Sequence, residues 1–169
     1  CSLCRHYVSV SEFSADAFYE SAYVSSTYGD ADGLWEAFNR ITALPPDRSD
    51  NSGRVERVLE YAHEHFGGGT GSRSVLDVGS GLCVFLHRMK AAGWACTALD
   101  PDERAVIHAR SAVGVEVLHG DLMGIEAAPR FDLVTLNKVL EHGEDPVEML
   151  DRGRAFVRPG GLVYIEVPD

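Results

Sequence analysis

Residues 75–84, VLDVGSGLCV, carry an apolar run straight into a Gly-x-Gly turn and on into an amphipathic stretch. Gly79 and Gly81 have no Cβ, so the backbone can turn tightly there and approach a ligand at the carboxyl end of a strand. A strand, a glycine turn and a helix in this order form the first half of a βαβ unit. A tight turn that binds nothing has the same pattern, so the rest of the chain must decide between the two.

From residue 74 onward, β-branched runs alternate with amphipathic segments, the pattern of successive βαβ units building a parallel sheet. Strands are expected at 74–78, 95–99, 115–118, 131–136 and 162–167. Leu82, Phe85, Leu86 and Met89 recur at helical spacing, and Gly93 stops that helix. A second crossover helix is expected over 103–112. Asp145-Pro146 opens a third, with proline where a missing N–H costs nothing. Pro159-Gly160-Gly161 then turns the chain into the fifth strand. Upstream, Val55, Val58, Leu59, Ala62 and Phe66 mark another amphipathic helix between the polar PPDRSDNSG and the flexible GGGTGS. The fold class is therefore α/β, a doubly wound and mostly parallel sheet with helices on both faces. Residues 1–54 read as a helical, aromatic lead-in that could form a lid, and 55–169 as a cofactor-binding domain.

A dinucleotide fingerprint needs a third glycine at position 84, which is Val84, and this disfavours NAD. Instead an acidic residue, Asp77, precedes the glycines within the strand, giving D-x-G-x-G. With that motif the chain resembles the class I S-adenosylmethionine (SAM) dependent methyltransferases, whose fold is Rossmann-like. The resemblance implies that Asp77 faces the methionine end of SAM, with the backbone of Gly79, Ser80 and Gly81 beside it. Asp100 follows Asp77 by 23 residues, next to Pro101, at the end of the second strand. A carboxylate there can accept from both ribose hydroxyls, as it also does in dinucleotide sites. In the family, Asp121 of HGDL takes the adenine amino group, with Leu122 beside the ring. LNKVLEH, which contains Asn137, Glu141 and His142, and the later R-P-G-G before a strand are also similar to family motifs. Each aspartate read singly could be a helix cap or a turn residue.

The expected cofactor is S-adenosyl-L-methionine, with S-adenosyl-L-homocysteine (SAH) as product, and the expected acceptor is a small polar metabolite. Methyl transfer is an in-line displacement, so the protein chiefly aligns the acceptor and excludes water. His142 is the candidate base for an acceptor proton, against the plainer reading of a histidine packed beside the next helix; Glu141 is a weaker candidate. Two other readings stand beside this one: a scaffold subunit built on a degenerate methyltransferase fold, and an NAD-dependent oxidoreductase.

The N-terminal CSLC and FYESAY resemble the lead-in of methyltransferases that carry a zinc ribbon, a likeness that leans towards a sugar acceptor. Four cysteine ligands are needed for such a ribbon and only one C-x-x-C is present, so zinc is not expected and Cys1 and Cys4 read equally well as unpaired thiols. Tyr19, Tyr23 and Tyr28 fit a lid or a core. His63 and His65 need no function. A formal net charge of -11 argues against nucleic acid as partner. Without an 18-residue apolar run or a leader, neither a membrane span nor a signal peptide is expected, and the protein reads as cytoplasmic. The fifth strand is apolar at nearly every position, as if buried on both faces. Family members continue with a helix and two further strands, whereas this chain ends at Asp169, so homo-oligomerisation through that strand is expected.

Overall fold

The structure, a computed structural model, describes residues 31–67, 72–126 and 131–168. In chain order the described elements are α1 (Ala31–Thr42), a 3-10 turn (Pro46–Arg48), α2 (Asp50–Phe66), β1 (Ser74–Val78), α3 (Val84–Ala91), β2 (Ala95–Asp100) and α4 (Glu103–His108). There follow a π turn (Ala109–Val113), β3 (Glu116–His119), β4 (Phe131–Asn137), a 3-10 turn (Leu140–His142), α5 (Pro146–Ala155) and β5 (Val157–Glu166). All five expected strands form, in one sheet of order β3-β2-β1-β4-β5, and every pairing is parallel.

β1 and β4 are buried along almost their whole length, which suits central strands covered on both faces. Alternation along β1 sends Val75 to one core and Leu76 to the other. The first core joins Val75 and Leu133 to Leu34 and Phe38 of α1, Val55 and Val58 of α2, and Leu86 and Met89 of α3. The second joins Leu76, Val78, Leu99, Val134 and Leu136 to Phe156, with Met149 and Leu150 of α5 packed against it. Helices thus cover both faces, as the sequence indicates.

Several boundaries differ from expectation, each for a local reason. α2 begins at Asp50 because the Ser49 hydroxyl accepts from Ser52 N and caps the helix; the polar run that reads as loop is its first turn. This helix crosses the division drawn at 54/55, and Leu34, Ala37 and Phe38 of the lead-in share the first core. α3 starts two residues after Leu82, since Cys83 takes a left-handed conformation at φ 55. The crossover after β2 is α-helical only to His108 and then widens into the π turn.

β5 begins before the R-P-G-G sequence and not after it. Phe131 pairs with Val157 and Leu133 with Leu162, so residues 158–161 bulge from the strand. A Cβ on Gly161 would lie 2.8 Å from the Asp132 carbonyl oxygen, which is why glycine stands there. The buried Asp132 anchors this end of the sheet, accepting from Ser74 N at 2.8 Å and Ser74 Oγ at 2.9 Å and pairing with Arg158. Contrary to the double burial expected of β5, one face is much better covered than the other, which meets the second core only at Val157. Leu162 and Tyr164 lie against the first core, while Val163, Ile165 and Val167 are 38%, 43% and 52% exposed.

Cys1, Cys4, Phe18, Tyr19, Tyr23 and Tyr28 lie outside the described residues. Among the described residues no group of His, Cys, Asp and Glu could hold a metal ion. Cys83 and Cys96 are free and buried, and burial pushes both thiols up to about 12.

Candidate active site

A cleft of about 670 Å³ opens at the carboxyl ends of β1, β2 and β4. It lies where the sheet order reverses, between β1 and β4, the usual ligand position in doubly wound sheets. Of the residues singled out from the sequence, Asp77, Gly79, Ser80, Gly81, Asp100, Pro101, Asp121, Leu122, Asn137 and His142 line it.

The glycine loop is held in a form that side chains resist. Gly79 sits at φ 63, and a Cβ there would meet Val139 Cγ2 at 2.8 Å; Gly81 sits at φ 48. Gly79 N donates to Leu99 O at 2.8 Å, tying the loop to β2. Asp100 fastens it from the other side, accepting from Gly81 N at 2.8 Å through Oδ2 and from Asp102 N at 2.9 Å through Oδ1. Burial lifts the Asp100 carboxyl above its ordinary range, and these two amides pull it back. The cap of α4 is Asp102, whose carboxylate accepts from Arg104 N, so Asp100 is not a helix cap.

Asp77 is 3% exposed. Its Oδ1 accepts from Thr135 Oγ1 at 2.6 Å and from Asn137 Nδ2 at 2.8 Å. Burial raises its carboxyl to about 7, opposed by those two hydrogen bonds and by Arg54. The Oδ1 of Asn137 is itself buried without a partner among the described residues. Asp121 accepts from Met123 N at 2.6 Å, which makes it a turn residue as well as a wall of the cleft. Val78, Leu99, Leu122 and Met149 supply apolar wall. His142 lies on the 3-10 turn anchored by the buried Leu140, whereas Glu141 is exposed and does not line the cleft.

Three features of the site were missed in the sequence. Thr135 is fully buried against Asp77, and only the β1–β4 register reveals the pair. Arg54 lines the cleft with 6% exposure. It donates to Glu166 at the end of β5 and to Asn51 Oδ1; on a helix with apolar residues at Val55 and Val58 it reads as a solvated charge. Lys138 holds φ 56 directly after β4, and such strain in a non-glycine residue clusters at functional sites.

A parallel doubly wound sheet with a glycine loop and acidic strand ends facing one cleft defines a Rossmann-like cofactor-binding domain. More specifically, the chain belongs to the methyltransferase-domain family, whose sequence model matches residues 37–169, and its fold is that of class I methyltransferases. It is 35% identical over 134 residues to the ubiquinone biosynthesis O-methyltransferase of Azotobacter vinelandii, covering 75% of this chain and 55% of that protein. Against the mitochondrial protein of the same description from Schizosaccharomyces pombe it is 30% identical over 171 residues, covering 95% and 56%. The chain thus spans about half the length of the curated relatives it matches. Among solved structures, SAM-bound CalS10, an amino pentose methyltransferase from Micromonospora echinaspora, aligns with TM-score 0.62 at 21% identity over 79% of this chain and 56% of that one. The N-methyltransferase NodS from Bradyrhizobium japonicum, in complex with SAH, aligns with TM-score 0.55 at 20% identity over 78% and 71%. At those identities the likeness is one of fold.

Proposed function

We propose that this chain forms the cofactor-binding core of a SAM-dependent methyltransferase acting on a small polar molecule. The observation that carries the reading is the buried Asp77 carboxyl, placed beside the glycine loop with an unpartnered Asn137 Oδ1 next to it. A buried carboxyl group and a neighbouring buried acceptor without a partner suit a ligand that brings positive charge and N–H donors, because such a ligand offsets their desolvation. Asp77 and Asn137 would hold the methionine end, Asp100 beside Pro101 the ribose hydroxyls, and Asp121 with Leu122 the adenine. When bound, the cofactor supplies a methyl group on a positively charged sulfur. The chain's own part is to orient both partners between apolar walls and to keep water out. His142 would take the acceptor's proton.

The acceptor is proposed as a small polar metabolite. An oxygen atom of a small molecule, suggested by the ubiquinone biosynthesis O-methyltransferases, and an amino sugar, suggested by CalS10, are the two acceptors to try first. No helix among the described residues is long and apolar enough to cross a membrane, and action in the cytoplasm on a small molecule, not on nucleic acid, is part of the proposal. So is self-association through the exposed Val163, Ile165 and Val167.

Calorimetric titration with SAM, SAH and NAD tests the reading. SAM and SAH should bind in the micromolar range and NAD should not; binding of NAD with no response to SAM or SAH overturns it. If radiolabelled methyl transfer to a panel of small hydroxyl compounds and amino sugars identifies an acceptor, His142→Ala should lower kcat while leaving the SAM Kd unchanged.

A further inference from the structure

Parallel pairing of β1 with β4 sets Asp77 opposite Thr135. Thr135 and Asn137, two residues apart on β4, both donate to the same carboxylate oxygen, Asp77 Oδ1. The Thr135 hydroxyl has one proton and two acceptors in reach, Asp77 Oδ1 at 2.6 Å and Leu76 O at 3.4 Å. The shorter contact takes the proton. Asn137 Nδ2 can only donate, so together with the Thr135 hydroxyl it fills the acceptor sites of Oδ1, and a proton on the neutral acid would sit on Oδ2. The other charged or titratable groups facing Asp77 are Arg54 from α2, Asp100 from β2, and the thiols of Cys83 and Cys96. β4 contributes neutral donors only.

Resting on the cofactor reading above, we propose that Thr135 is a positioning residue, which holds Asp77 ionised and in one orientation for the cationic end of the cofactor. Burial alone favours the neutral acid, which has no charge to offer a cation; donors to the carboxylate shift the balance back. Burial leaves the Asp77 carboxyl near 7 even with both donors present, so losing one of them moves its ionisation out of the neutral range. The Thr135 hydroxyl is therefore worth most to binding at and below neutral pH. Cofactor binding in that range expels a proton from Asp77.

Thr135→Val is nearly isosteric and removes the donor; Thr135→Ser keeps it. SAM and SAH affinities are to be measured by calorimetry from about pH 5.5 to about pH 9. Parallel runs near neutrality, in buffers of differing ionisation heat, count the protons released. For the valine variant, Kd should exceed the parent's by about tenfold below neutral pH, the loss of one hydrogen bond to a charged group. The two should converge at the alkaline end, with more protons released by the variant near pH 7 and the serine variant following the parent. The ligand's own amine titrates alike against all three proteins and cancels in the ratios. A valine-to-parent ratio that stays constant with pH, or a serine variant that behaves as valine does, overturns the proposal while the cofactor reading stands. A folded parent that binds neither ligand defeats both. Should the valine variant fail to fold, Thr135→Ala makes the same comparison.

Discussion

Asp100 does two things with one carboxylate. Its oxygens pin Gly81 N and Asp102 N, shaping the loop, and the same group lines the cleft where a ribose would lie. Replacing it with alanine is expected to weaken SAM binding about ten- to a hundredfold, since hydrogen bonds to charged groups contribute roughly 1.5–3 kcal/mol each. Calorimetry on a variant that still melts cooperatively checks this, and an unchanged Kd would leave Asp100 only its loop role. Asp77 makes a prediction of opposite character for stability. Its carboxyl is raised from 3.8 to about 7 by burial, so the folded protein retains a proton that the unfolded chain has already released between those values. Stability therefore falls as pH rises through that window and stays lower above it. Asp77→Asn keeps an acceptor for Thr135 and Asn137 but removes the charge. It should melt at a higher temperature than the parent at pH about 8, lose that advantage near pH about 4, and no longer bind SAM.

At the scale of elements, α2 carries Arg54 into the cleft, and its start depends on one hydroxyl. Ser49→Ala removes the acceptor for Ser52 N and should cost about 1 kcal/mol in urea unfolding, the usual value of an N-cap. The same helix is joined to β5 by the Arg54–Glu166 pair, with Tyr164 donating to Glu166 Oε2 at 2.9 Å. The Arg54 guanidinium holds the Glu166 carboxyl down from 4.5 to about 2. A lowered carboxyl contributes stability that is full above its unfolded value and is lost as pH falls towards the folded one. Glu166→Gln should thus flatten the acid limb of the stability curve between about pH 4.5 and pH 2, seen by circular dichroism as melting temperatures that converge with the parent's at the acid end. A parent curve with no acid limb would show that the pair contributes nothing.

For the whole molecule, the surface that stands out is the outer face of β5. Val163, Ile165 and Val167 alternate with packed residues and lie together in solvent at the sheet edge. An exposed apolar edge strand offers both side chains and unpaired backbone groups to another chain. Sedimentation should show concentration-dependent association, and Ile165→Lys should abolish it with little change in melting temperature, because that side chain is 43% exposed and outside both cores. A parent that stays monomeric at every concentration would refute the expectation.

The strand-turn-helix at 74–91, the five strands along the chain and the acidic strand ends were all legible in the sequence. They depend on local properties: period, the missing Cβ of Gly79 and Gly81, and residue type at strand ends. Residues 50–54 were not legible, because a capped first turn and a polar loop have the same composition. Thr135 was invisible for a different reason. Its partner lies 58 residues away, and only the parallel register of two central strands makes a threonine the neighbour of an aspartate. Arg54 and Glu166, 112 residues apart, meet for the same kind of reason. The sequence by itself determined which chemistry gathers at the carboxyl ends of the strands. Tertiary structure alone decided which donors hold those carboxylates, because burial and register are properties of packed strands and not of any one segment.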